Sequence, residues 1–175
     1  MNAEDAILVR RALQADRESF GTLCRRYYHP LVAVADAILS DHHLAEDAAQ
    51  ETLAQGCRQL PALKKPELFG PWVAAICRNV AKDMLRVRRK QCGPAEDGEV
   101  PQIDGPPEGQ AEIVGEALQD LPPALREVIF LRFYNEMSYR QMAGVLGATQ
   151  ESIDGRLRRA KKLLAAYLTK RGFGR

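Results

Sequence analysis

The chain has 175 residues, 46% of them hydrophobic and 27% charged, with a formal net charge of +2. Such a composition belongs to an ordinary globular chain, long enough for one domain or two small ones, and it excludes wholesale disorder. No apolar run reaches the ~18–20 residues that span a bilayer, and the start Met1-Asn2-Ala3-Glu4-Asp5 is acidic. A cytoplasmic chain without membrane insertion is expected. Cys24, Cys57, Cys77 and Cys92 are widely spaced, with no CxxC pair and no histidine cluster at ligand spacing. Reduced thiols are therefore expected, with neither a disulfide framework nor a metal or cofactor site.

Charge is distributed unevenly. Residues 1–90 carry 14 Lys/Arg against 11 Asp/Glu, residues 91–112 carry none against 6, and residues 113–175 carry 11 against 6. The acidic segment Gln91 to Glu112 also holds four prolines and four glycines. It cannot bury enough apolar area to offset chain entropy, so it reads as a linker between two basic domains.

Outside that linker the apolar residues recur every three or four positions and nowhere alternate as a half-buried strand does, which predicts an all-α fold in two small helical domains. In the first domain Phe20, Leu23, Tyr27, Leu31, Val34 and Ile38 form one stripe. Asp16 stands at its N-cap position, and Pro30 inside it predicts a kink. A second helix is expected from about Leu44 to Leu60, capped near Asp41, with Leu44, Ala48, Thr52 and Leu53 inward and Asp47, Gln50, Glu51 and Arg58 outward. A third runs from Pro66 or Pro71 to Lys90, with Trp72, Ile76, Val80, Met84 and Val87 as its expected buried stripe. Arg78, Lys82, Arg86 and Arg89 follow at spacings of four, four and three, which places them on one helix face, flanked by Asn79 and Arg88. Almost no acid balances them after Asp83, so the face reads as a phosphate-binding ridge.

The second domain opens with a helix near Ile113 to Gln119, punctuated by Leu121-Pro122-Pro123, and continues with a stripe of Leu125, Val128, Ile129, Leu131 and Phe133. Ser138-Tyr139-Arg140-Gln141 is a capping box, Met142, Ala143 and Leu146 form an inner face, Gly147 supplies a left-handed stop and Thr149 caps the next helix. That short connection predicts a helix-turn-helix. Ile153, Leu157, Ala160 and Leu164 pack its second helix, whose outer face carries Gln150, Glu151, Ser152, Asp154, Arg156, Arg158, Arg159, Lys161 and Lys162. Its N-terminal end is expected in the major groove of duplex DNA, with the later cations on phosphates. His42, His43, Glu46 and Asp47 are the only clustered candidates for catalysis, and no third or fourth metal ligand of suitable geometry accompanies them. No nucleotide loop or nucleophile motif appears, so the chain is not expected to be an enzyme or to take a small-molecule substrate.

These residues resemble the sigma-70 family of transcription initiation factors in its short extracytoplasmic-function form. The likeness runs through Ala45-Glu46-Asp47-Ala48-Ala49-Gln50-Glu51-Thr52, Trp72 to Asn79 and Asp83 to Arg89 in the first domain. It continues through Leu118 to Pro122, Arg126-Glu127-Val128, Ser138 to Ala143, Leu146-Gly147 and Arg156 to Ala160 in the second. The resemblance implies that Asp47, Gln50 and Glu51 bind the clamp helices of the largest subunit of core RNA polymerase, with the second domain on its flap. It implies that the loop from Pro61 to Glu67 with Lys64 and Lys65, together with Arg78, Asn79, Lys82, Arg86, Arg88 and Arg89, captures the melted −10 element of promoter DNA. The helix-turn-helix would read the −35 element, the acidic linker would thread basic polymerase channels, and an anti-sigma factor would control the whole. One departure is Asp154-Gly155, where relatives commonly carry a basic and then a small polar residue. A carboxylate there repels phosphate, although it can accept from cytosine or pair with Arg158 four residues on.

Overall fold

The computed structural model describes residues 3–92 and 110–172, and every regular element among them is helical. The first cluster of helices comprises α1 (Ala3–Leu13), α2 (Arg17–Leu39), α3 (His42–Gln59) and α4 (Phe69–Cys92), with single turns at Leu60–Ala62 and Pro66–Leu68 between the last two. Local chemistry sets the starts. The Asp16 carboxylate accepts from the backbone of Glu18 and Ser19 and from the Ser19 hydroxyl at 2.7 Å, and these bonds with Ser19 hold its pKa below the ordinary value. Asp41 caps α3 by accepting from the Leu44 amide at 3.1 Å. α2 continues through Pro30, which is buried within it.

The first core gathers Leu23, Leu31 and Val34 of α2, Ala45, Ala48 and Ala49 of α3, and Phe69, Val73 and Cys77 of α4. Tyr27 and Phe69 meet edge to face, centroids 5.1 Å apart at 75°. The stripe expected on α4 is rotated: Phe69, Val73, Ala74, Cys77, Val80 and Ala81 are buried, whereas Trp72, Ile76 and Met84 are half-buried and Val87 is 52% exposed. The small residues Ala74, Cys77 and Ala81 let α4 lie close against its neighbours, and the larger side chains flank that contact. The same preference rules α3, where Ala45, Ala48, Ala49, Thr52 and Gly56 face inward and Leu44 and Leu53 stand at the margin. Burial pushes the Cys77 thiol up to about 12, and it donates to the Leu31 carbonyl at 3.3 Å. Cys24, Cys57 and Cys77 are all unpaired.

The second cluster comprises α5 (Gln110–Gln119), α6 (Pro123–Ile129), a π-turn at Phe130–Tyr134, α7 (Tyr139–Leu146) and α8 (Gln150–Lys170). Leu121, Leu125, Val128, Leu131, Met142, Ile153, Leu157 and Ala160 fill its core. The π-turn explains why Phe133, expected in the buried stripe, is 57% exposed while Phe130 is buried: widening one turn carries the following side chains off the i, i+4 register. Most of the expected linker lies outside the described residues, α4 extending to Cys92 and α5 beginning at Gln110.

The two cores touch. Val145 of α7 is buried in the first, and Ala33 and Ala37 of α2 are buried in the second.

α1 is held by Asp5, which is buried and accepts from the Tyr27 hydroxyl at 2.6 Å and from the Arg26 guanidinium. Asp5→Ala strands the Tyr27 hydroxyl and lowers stability by roughly 2–3 kcal/mol in denaturant titration. Buried Asp36 presents a different case. Burial raises its carboxyl to about 6, against the opposing pull of His42 and Arg126. The folded chain therefore holds this proton more tightly than the unfolded chain does, and stability falls as pH rises from about 4 to about 6. Asp36→Asn removes that share of the decline, on the order of 2 kcal/mol, and the difference between wild-type and variant stability across this window measures it.

Candidate nucleic-acid and polymerase interfaces

The outward face of α3 follows from its inward one. With Ala45, Ala48, Ala49 and Thr52 buried, Asp47, Gln50 and Glu51 are left exposed in consecutive turns. Glu51 also binds Gln55 at 3.0 Å and Arg58 at 3.1 Å, so this surface is acidic but internally braced. Between α3 and α4 runs an open groove of about 830 Å³ with Leu44, Val80, Met84 and Val87 in its lining and Glu51 and Asn79 beside them. This groove is why Met84 and Val87 are not core residues.

The ridge of α4 is less uniform than its spacing predicts. Lys64, Lys65, Asn79 and Lys82 are exposed. Arg86 is exposed and pairs with Asp83 at 3.1 Å, a surface contact worth little. Arg88 is half-buried and pairs with Asp41 at 3.0 Å, joining the end of α4 to the start of α3. Arg78 is half-buried and donates to Glu127 of α6 at 3.0 Å. α4 carries no acid after Asp83, yet the fold brings Asp41 and Glu127 to the ridge from elsewhere in the chain. The Arg89 side chain lies outside the described residues.

The helix-turn-helix forms as its signals require. The Ser138 hydroxyl accepts from the Gln141 amide at 3.3 Å and the Gln141 side chain accepts from the Ser138 amide at 2.8 Å, completing the capping box. Gly147 adopts φ 63°, and the Thr149 hydroxyl accepts from the Ser152 amide at 3.2 Å. Ile153, Leu157 and Ala160 seat α8, so Gln150, Glu151, Ser152, Arg158, Arg159, Lys161 and Lys162 are exposed, with Asp154 and Arg156 half-buried. The Glu151 carboxyl, in the first turn, is held below its ordinary value by hydrogen bonding at the helix start. Asp154 accepts from Arg158 Nε at 3.0 Å, the i, i+4 pairing its spacing allows. α8 therefore offers fewer unpaired cations than its sequence counts.

Periodicity leaves other features unseen. Phe133, Tyr134 and Tyr139 are exposed, with Lys161 of α8 5.3 Å over the Phe133 ring and Arg132 5.9 Å over that of Tyr139. At the other extreme, Arg126 and Glu127 are among the most buried charged residues. The helix-opening His42 lies 3.8 Å from both Asp36 and Glu46, and among the described residues no group of three or more His, Cys, Asp or Glu could hold a metal ion. No helix of the described residues is long and apolar enough to cross a membrane.

Two family models match the chain, one in each cluster of helices. Residues 23–91 match the family described as Sigma-70 region 2, and residues 111–164 match Sigma-70, region 4. The chain is 28% identical over 175 residues to the RNA polymerase sigma factor NccH of Alcaligenes xylosoxydans xylosoxydans, covering 94% of both proteins. It is also 28% identical to the probable RNA polymerase sigma factor RfaY of Xanthomonas campestris pv. campestris, covering 89% of this chain but spanning only 42% of that protein. Among solved structures it resembles the sigma factor RpoE in its complex with the anti-sigma factor NepR from Bartonella quintana, with a TM-score of 0.61, 25% identity, and coverage of 87% of this chain and 98% of that one. The chain belongs to the sigma-70 family of RNA polymerase sigma factors, in its extracytoplasmic-function branch.

Proposed function

We propose that this chain binds core RNA polymerase and directs it to promoters, using residues 1–90 for polymerase binding and −10 capture, residues 91–112 as an acidic linker and residues 113–175 for −35 recognition. One observation carries this reading. A helical unit with a braced acidic face on α3 beside a cationic α4 is followed by a capped helix-turn-helix, in the order of the two matched family regions. A stand-alone repressor would need only the second unit. Catalysis of RNA synthesis belongs to the polymerase, and this chain contributes selection.

In this reading Asp47, Gln50 and Glu51 meet the clamp helices, and the second unit engages the flap. Lys64, Lys65, Arg78, Asn79, Lys82, Arg86, Arg88 and Arg89 contact the −10 strand once it melts. Unstacked bases are costly to hold open, and an adjoining row of cations traps the single strand by charge. The end of α8 at Gln150, Glu151, Ser152 and Asp154 faces base edges, and Arg156, Arg158, Arg159 and Lys162 meet the backbone. The solved likeness in complex with an anti-sigma factor supports control of this chain by a protein of that kind.

Charge reversal separates the surfaces. Glu51→Lys abolishes co-purification with core polymerase while the isolated chain keeps its melting temperature, and retained co-purification would remove α3 from the interface. Lys82→Ala leaves polymerase binding intact and lowers open-complex yield several-fold in permanganate footprinting. Asp154→Ala releases Arg158 to a phosphate, so duplex binding tightens and its log–log salt dependence steepens by about 1. An unchanged salt slope would mean that Arg158 contacts no phosphate even when unpaired.

A further inference from the structure

The outer face of α8 has a gap in its side chains at the place where it stands furthest from the core. Ile153, Leu157 and Ala160 are buried, and Gly155 lies two residues from each of the first two, about 200° round the helix from both. Position 155 is therefore the outermost point of α8, and Gly155 is exposed there. Glu151 and Ser152 stand one turn before it on the same face and Arg158 and Arg159 one turn after it, all four exposed. Its chain neighbours Asp154 and Arg156 are half-buried, and the Asp154–Arg158 ion pair, 3.0 Å long, runs beside it.

Among the described residues nothing asks for glycine at this position. Gly147, by contrast, adopts a left-handed φ of 63°, and a Cβ on it would fall 3.1 Å from Pro71. At Gly155 the backbone is helical, and a Cβ would meet no described atom within 4 Å. In an exposed helix interior glycine weakens the helix relative to alanine, because it loses more backbone freedom on folding. A glycine that costs stability and relieves no contact of its own chain fits a close approach from outside, at the face that meets DNA.

The major groove is about 12 Å wide and a helix with its side chains about 10–12 Å across, so the side chain at the outermost point limits how deep the axis can sit. We propose that Gly155 is the point of closest approach of α8 to promoter DNA, its bare backbone letting the helix sit deep enough for Glu151 and Ser152 to reach base edges. The proposal rests on the reading of α8 as the helix that reads the −35 element. Depth acts unequally on the two kinds of contact. A hydrogen bond to a base edge is lost over a small displacement. The attraction of Arg158 and Arg159 for phosphates falls off slowly with distance, and their long side chains can follow the DNA backbone. Gly155 thus serves sequence discrimination more than bulk affinity, and it does so by what it leaves out.

Gly155→Ala and Gly155→Leu test this in the full chain, alone and reconstituted with core RNA polymerase. Alanine and leucine both favour helix, so each variant should unfold at a higher temperature than wild type. The reconstituted polymerase is mixed with sheared genomic DNA, and the bound fragments are sequenced. Wild type is expected to enrich fragments that carry an upstream element together with the downstream one over fragments that carry the downstream one alone. Gly155→Ala should lower that ratio several-fold and Gly155→Leu further, while retention of fragments with neither element stays unchanged. If both variants keep the wild-type ratio, the glycine is merely tolerated, and the proposal fails while the −35 reading of α8 stands. A ratio that falls together with polymerase co-purification would also overturn it, because depth in the groove would not be the cause. Wild-type polymerase complex that enriches no upstream element would remove the −35 reading and the proposal with it. A Gly155→Ala chain that melts below wild type would show that position 155 serves its own chain, against the proposal. Should only Gly155→Leu not fold, Gly155→Ala decides by the same ratio.

Discussion

The rest of the structure depends on the complete burial of the middle of α2. From Pro30 to Ala37 no residue of this helix is left to water. Leu31 and Val34 belong to one core, and Ala33 and Ala37 to the other. A helix segment that is apolar on nearly every side, Asp36 apart, must be surrounded, and here α3 and α4 cover part of it while α6 and the π-turn cover the remainder. The alanines make the second contact possible, because only small side chains let α6 approach closely enough to bury Arg126 and Glu127. The arrangement of the two units thus follows from the width of one helix face.

Features that depend on neighbours in sequence were legible from the chain itself. The capping box at Ser138 and Gln141, the left-handed Gly147 and the Thr149 cap are local hydrogen-bonding problems with local solutions, and they define the helix-turn-helix. The caps of α2 and α3 at Asp16 and Asp41 are of the same kind. The face of α4 was misjudged because periodicity weighs size and hydrophobicity, whereas the tertiary contact selected the small residues Ala74, Cys77 and Ala81. Phe133 was misplaced because a π-turn has no clear sequence signal. Asp5, Asp36 and Val145 could not be read at all. Each owes its burial to residues more than 20 positions away or on another element, and an isolated acid in a sequence looks like any surface acid.

The candidate sites divide along the same line. The exposed row Asp47, Gln50 and Glu51 and the outer face of α8 follow directly from which residues are buried. Which cations remain unpaired does not. Arg78, Arg86, Arg88 and Arg158 each meet a carboxylate, at Glu127, Asp83, Asp41 and Asp154. Two of those partners are close in sequence and two are brought by the fold. A surface so partly neutralised suits a protein whose two DNA contacts matter when polymerase holds both in place, since neither unit presents an unbroken cationic face.

Run-off transcription with purified core polymerase and genomic templates, followed by mapping of start sites, measures that dependence on polymerase. The account predicts starts absent with core alone, clustered downstream of two sequence elements at a fixed separation. Transcripts no different in number or position from those of core polymerase alone would contradict it.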